Sequence, residues 1–267
     1  MRVACIQNNA GRDWAKNWKS VKQMMERAVR GKAQLLVLPE FFYWRGSVQE
    51  MPDTARLGSP LILQEARRFA KEHACAILLG SLLEKSSEKN KYYNTSYLIS
   101  ESGKTIAKYR KIHLFDNHLK EVKTCESETI RAGSKVVAAN VRGVSCGLSI
   151  CYDLRFPELY RGLSKAGAKI FFVPANFTYL TGKAHWDILL KARAIENQAF
   201  VLAPGQSGVH PSTKIRSYGN SRILSPWGEV LASASTSGEE VIFADLDFQR
   251  QDKLRRFFPV LKHTKLL

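Results

Sequence analysis

Apolar residues follow two rhythms along this chain. Short unbroken runs, "RVACIQNN", "QLLVLPEFF" and "CAILLGSLLE", alternate with "WKSVKQMMERAVRGKA" and "SPLILQEARRFAKEHA", where apolar residues recur at three- and four-residue spacing. A short continuous run reads as a strand buried on both faces, and the wider spacing as a helix with one apolar side. Pro39 ends the second run. Strand, helix, strand, helix, strand is the order that predicts an α/β fold.

The order recurs in "VSCGLSICYD", "LYRGLSKAGA", "KIFFVPANF", "WDILLKARAIENQ" and "AFVLAPGQSG". "GKAQLLVLPEF" and "AGAKIFFVPANF" share a small-residue helix exit, an apolar run, a proline and a closing Phe. This pseudo-repeat predicts a four-layer α-β-β-α sandwich, two sheets face to face with helices outside and an internal pseudo-two-fold relation. Between the halves, "NKYYNTSYLISESGKTIAKYRKIHLF" reads as a hairpin turning at "ESGK", and "SYGNSRILSPWGEVLASAS" with "EEVIFADLDF" as another. No Pro, Ser or Gly tract separates the halves, so residues 1–267 are expected to form one domain.

Composition narrows the class. With 45% hydrophobic and 24% charged residues, the 267-residue chain is ordinary globular protein. It has no apolar stretch near the ~20 residues a membrane helix needs, and the N-terminus does not read as a signal peptide, so a cytoplasmic location is expected. The five cysteines are odd in number, scattered and without CxxC spacing, which predicts reduced thiols and no metal site or cofactor. A net charge of +17 raises nucleic acid, an anionic membrane or an acidic substrate as partners. The Lys and Arg residues are dispersed, which favours a solvated basic surface over a dedicated nucleic-acid or membrane site. The tail "RQDKLRRFFPVLKHTKLL" reads either as a local basic patch or as a segment docking on a neighbouring subunit.

Some residues carry candidate chemistry. Cys151 falls at the end of an apolar run, where open α/β sheets hold their sites, yet taken alone it reads as one more packing thiol. Glu40 also ends a strand run, as a strand-end ion pair or as a general base made more basic by desolvation. Lys111, in "KYRKIHLF", is hard to tell from a surface lysine, and Glu126, in "TCESET", has the weakest individual case. His113, His118, His185 and His210 lie near these segments, but no cysteine-protease signature surrounds Cys151. His185, beside Trp186, reads as a packing or supporting residue.

The combination changes the weighing. "LLVLPEFF", "KYRKIHLFD" and "GLSICYDLRFPEL" resemble, in order and character, the three motif regions of the nitrilase or carbon-nitrogen hydrolase superfamily, and the resemblance runs through nearly the whole chain. It implies a Glu40-Lys111-Cys151 triad with Cys151 as nucleophile and Glu126 as supporting glutamate, although Glu121 and Glu128 compete in a loop of variable length. It also implies an oxyanion hole from Lys111 and the backbone N–H of Tyr152. "RFPEL", "TGKAHW" and "GQSGVHPSTKIRSYGNS" look most like the Nit-type amidases, nearest the deaminated-glutathione branch, with the ω-amides of keto acids as the wider class. Arg155, Asn176, Phe177 and Arg216 are the expected substrate contacts, with Arg155, Arg216 or Lys214 as clamps for a carboxylate. The resemblance further implies at least a homodimer. N-carbamoyl hydrolysis, a general aliphatic amidase and a silent nucleic-acid-binding or scaffold protein remain the alternatives.

Overall fold

The computed structural model describes residues 1–119 and 124–265. Its first half runs β1 (Arg2–Gln7), α1 (Trp14–Arg30), β2 (Leu35–Val37), a short α2 (Met51–Asp53), α3 (Ser59–Glu72), β3 (Ala76–Lys85), β4 (Tyr92–Ile99) and β5 (Thr105–Arg110). Helix α1 starts four residues before its apolar pattern becomes legible. The Asp13 carboxylate caps it by accepting from the N–H groups of Ala15 and Lys16, both at 3.0 Å. Trp18, Val21, Met25 and Ala28 then bury one face at helical spacing.

A two-stranded ribbon of β6 (Asp116–Asn117) and β7 (Thr124–Cys125) leads to the second half. That half runs β8 (Ala138–Val141), β9 (Val144–Leu148), α4 (Pro157–Lys165), β10 (Ile170–Phe172), α5 (Tyr179–Asn197), β11 (Phe200–Ala203), β12 (Arg222–Leu224) and β13 (Val230–Ser233). The chain finishes with β14 (Glu240–Asp245) and α6 (Phe248–Phe257). Among the described residues, no helix is long and apolar enough to cross a membrane.

The strands make two six-stranded sheets, ordered β14-β1-β2-β3-β4-β5 and β13-β12-β11-β10-β9-β8. Three parallel strands lie at the centre of each, with an antiparallel hairpin on one side and one antiparallel strand on the other. The expected repeat is thus present strand for strand.

Side-chain parity assembles the layers. Val3, Cys5, Leu35, Val37 and Leu78 share a core with the second sheet and with Tyr160 of α4 and Trp186 of α5. Their neighbours Ala4, Ile6, Leu36, Ile77 and Leu79 pack with Trp18 and Met25 of α1 and Ile62 and Phe69 of α3. Helices therefore cover the outside of both sheets.

The second predicted hairpin needs correction. β12 and β13 do pair, but "EEVIFADLDF" leaves them and crosses to the first sheet, where β14 runs antiparallel to β1 from Arg2 opposite Asp245 to Gln7 opposite Glu240. Without it β1 would present an unpaired edge. The alternation in β14 suits that place: Ile242 and Ala244 enter the inter-sheet core, while Val241 and Phe243 pack on the helix side.

Candidate active site

Three strand ends converge between the sheets. Glu40 follows β2 after Leu38 and Pro39, Lys111 follows β5 directly, and Cys151 opens the 3-10 turn after β9. All three are buried, at 3%, 2% and 7% exposure, and all line one cavity of about 360 Å³. β3 closes on the Leu38–Pro39 segment at Gly80, where a Cβ would run into the Leu38 carbonyl oxygen. Only glycine permits that approach, which backs the segment carrying Glu40.

Cys151 adopts a left-handed backbone, with φ of 48°, which costs a non-glycine residue about 1–3 kcal/mol. Neighbouring bonds hold it there. The Cys151 N–H donates to the Pro174 carbonyl at 2.9 Å. The fully buried Asp153 carboxylate accepts from Ile150 N at 2.8 Å, from the Tyr109 hydroxyl at 2.6 Å and from His113 N at 3.0 Å. His113 Nδ1 also lies 2.7 Å from Asp153, and its ring stacks on Phe156.

The charges form one network. Lys111 Nζ donates to Glu40 Oε1 at 3.1 Å and to Glu126 Oε2 at 2.7 Å. Glu40 also accepts from Asn94 Nδ2 at 2.8 Å and, through Oε2, from Asn176 N–H at 2.9 Å. Glu126 accepts from Phe115 N–H at 2.8 Å and from Asn94 at 3.2 Å. Burial alone would lower the affinity of Lys111 for its proton, but Glu126 and then Glu40 outweigh it and hold the ammonium well above its ordinary range. Burial pushes the Cys151 thiol well up, and Glu40 adds to this through charge and as a hydrogen-bond partner, against the pull of Lys111. The resting arrangement is a neutral thiol beside an ammonium hydrogen-bonded to two glutamates, with Glu40 in place to accept the thiol proton.

Of the competing glutamates, Glu126 reaches Lys111; Glu128 is exposed, and Glu121 lies outside the described residues. Tyr152, Arg155, Asn176 and Phe177 surround a recess of only about 10 Å³ on another side of Cys151. There Arg155 lies over the Tyr152 and Phe177 rings at 5.6 and 5.2 Å, and its Nη1 meets His185 Nδ1 at 3.1 Å. His185 is exposed rather than packed. Arg216 does not line the cavity as expected of a clamp; the loop turns it outward and its guanidinium stacks on Tyr179 at 4.2 Å. Lys214 does not line the cavity either.

Four polar residues escaped the sequence reading. Asn94 bridges the two glutamates, Asp153 holds the turn at Cys151, and Ser217 donates to Asn176 Oδ1 at 2.6 Å. Arg45, fully buried, lines the cavity. The signal for Asn94 was a polar triplet, Asn94-Thr95-Ser96, inside a strand between tyrosines; all three are buried. Nothing local distinguished the other three. Among the described residues no cluster of three or more His, Cys, Asp or Glu is placed to hold a metal.

The carbon-nitrogen hydrolase family model matches residues 2–256. A deaminated glutathione amidase from Dictyostelium discoideum is 39% identical over 94% of this chain and 89% of its own length. The crystal structure of the Caenorhabditis elegans NitFhit protein superposes with a TM-score of 0.93 at 38% identity, covering 99% of this chain and 65% of that one. Saccharomyces cerevisiae Nit3, described as a member of the nitrilase superfamily, gives a TM-score of 0.87 at 30% identity over 100% of this chain and 96% of that chain.

Proposed function

The chain belongs to the carbon-nitrogen hydrolase family, and we propose that it hydrolyses a small carboxylate-bearing linear amide through a thioester on Cys151, releasing ammonia. One observation carries this reading: a buried thiol, held neutral, shares its cavity with the Glu40 carboxylate and an ammonium already bound to that carboxylate.

Glu40 takes the thiol proton as Cys151 Sγ bonds to the amide carbon, so the thiolate forms only when its target is present. The carbonyl oxygen becomes an oxyanion, and Lys111 Nζ and the Tyr152 N–H donate to it. Glu40 returns its proton to the leaving nitrogen, the C–N bond breaks, and ammonia departs from the thioester. Water then attacks the thioester carbon, giving its proton to Glu40. The carboxylic acid leaves, and Glu40 reprotonates the sulfur. Glu126 and Asn94 keep Lys111 and Glu40 in register throughout.

Deaminated glutathione leads the substrate choice, because Dictyostelium and Synechocystis relatives carry the name deaminated glutathione amidase at 39% and 38% identity. ω-Amides of keto acids are next. We read the protein as a single cytoplasmic domain that forms a homo-oligomer; exposed Trp227, Phe257 and Phe258 support the oligomer. Ammonia release across ω-amides, nitriles and N-carbamoyl amino acids tests the proposal. Turnover of the ω-amides alone is expected; preference for nitriles or carbamoyl compounds, or activity retained by Cys151→Ala, would overturn it.

A further inference from the structure

The cavity has a second charged wall. Arg45 lies on the loop after Glu40 and is 2% exposed, yet it forms no ion pair among the described residues. Its acceptors are neutral: Nε donates to Ala10 O at 2.8 Å, Nη1 to Ser217 Oγ at 2.8 Å, and Nη2 to Asn9 Oδ1 and to Ser207 O at 3.1 Å. A guanidinium has five N–H donors, so one hydrogen on Nη1 is left over. Burying a cation without a countercharge is costly, and burial brings the Arg45 guanidinium down to about 10. It keeps its charge at neutral pH.

His210 stands on the same wall and also lines the cavity. Its Nδ1 accepts from the N–H groups of Ser212 at 3.2 Å and Thr213 at 3.3 Å. That makes Nε2 the protonated nitrogen of a neutral ring. Burial, then the charge of Arg45, lowers His210 to about 4, which keeps it neutral. The wall therefore offers an uncompensated cation and a neutral donor. It connects to the reacting end, for Ser217 Oγ, which accepts from Arg45, donates to Asn176, whose N–H donates to Glu40.

Lys111, the other cation lining the cavity among the described residues, is taken up by Glu40 and Glu126. Arg155 faces the small recess instead. We propose that Arg45 and His210 receive the substrate's carboxylate, fixing which amides enter with their C–N bond at Cys151. This rests on the amidase reading for its substrate class. The contact is charge-assisted and made in a partly dry site, so its loss should cost roughly 10- to 100-fold in affinity.

The test is calorimetry on the full chain carrying Cys151→Ala, with glutaramate and glutaramide as probes; the two differ only in carboxylate against amide. Glutaramate is expected to bind at least about tenfold more tightly, and that preference to shrink on adding Arg45→Gln or His210→Phe. Equal binding of the two probes overturns the proposal. So does a preference surviving both substitutions in chains that melt as folded proteins, since Arg45 would then only tie loops together. Should Arg45→Gln not fold, the probe comparison and His210→Phe still decide. If the wild-type chain releases ammonia from no amide, the amidase reading fails, while glutaramate binding still reports on the carboxylate site.

Discussion

The two halves repeat one topology but load it differently. By strand register, the position that holds Cys151 after β9 holds Asn8 after β1, and the position that holds Glu40 after β2 holds Ala175 after β10. At these two register positions each half thus holds one of the proposed reactive groups and one inert counterpart. Both counterparts support Glu40. Asn8 donates its side-chain amide to the Phe42 carbonyl at 2.7 Å, tying down the loop that carries Glu40, and the N–H just after Ala175 donates to the Glu40 carboxylate. The repeat supplies equivalent strand ends between the sheets; the proposed chemistry depends on breaking the equivalence at two positions.

Replacing the loaded positions should have the largest effects. Cys151→Ala is expected to remove at least about 10⁴-fold of turnover with the melting transition preserved, as read by ammonia release and circular dichroism. Residual activity near wild type would return Cys151 to the packing role of Cys5 and Cys146. Glu40→Gln should lower kcat by about 10²- to 10⁴-fold and carry kcat/KM with it. A raised KM at unchanged kcat would contradict the base.

Lys111→Ala should cost about 10²- to 10³-fold if Nζ holds the oxyanion. It also leaves Glu40 and Glu126 without their shared cation, so its melting temperature must be measured alongside. The pH dependence of stability follows the same groups. Lys111 and Cys151 are both raised above their ordinary 10.5 and 9.0, so the folded chain binds more protons than the unfolded one in alkali. Their contribution is fully present below about pH 9 and is lost as pH rises through the folded values. Urea unfolding should show stability declining above that point, and a flat or rising curve would contradict the assigned directions.

The smallest effect belongs to an inert counterpart. Asn8→Ala leaves the buried Phe42 carbonyl without its donor and should cost about 1–3 kcal/mol in urea unfolding, with activity falling only as Glu40 shifts. A loss of turnover as deep as that of Cys151→Ala would give Asn8 a chemical role and dissolve the contrast between the halves.

Much of this was legible in the chain. Apolar runs and helical spacing marked the alternating elements, and the shared Pro-containing runs marked the repeat. Glu40 and Cys151 each end an apolar run, but alone they read as an ion-pair partner and a packing thiol; the family resemblance of their segments singled them out. The helix start at Trp14 was obscured because its first turn rests on the Asp13 cap rather than on apolar spacing.

What the sequence determined by itself was element type, burial pattern and the few positions where polarity interrupts a strand, because these depend on neighbours within a turn or two. Tertiary structure decided the rest. It chose β1 as the partner of β14, selected Glu126 over Glu128, turned Arg216 outward and drew Arg45 into the cavity. Glu40 and Lys111 lie 71 residues apart, and Arg45 and Ser217 172 apart. Such pairs exist only once two sheets have packed and excluded water, and the free energy of a buried charge is set by groups that no local window contains.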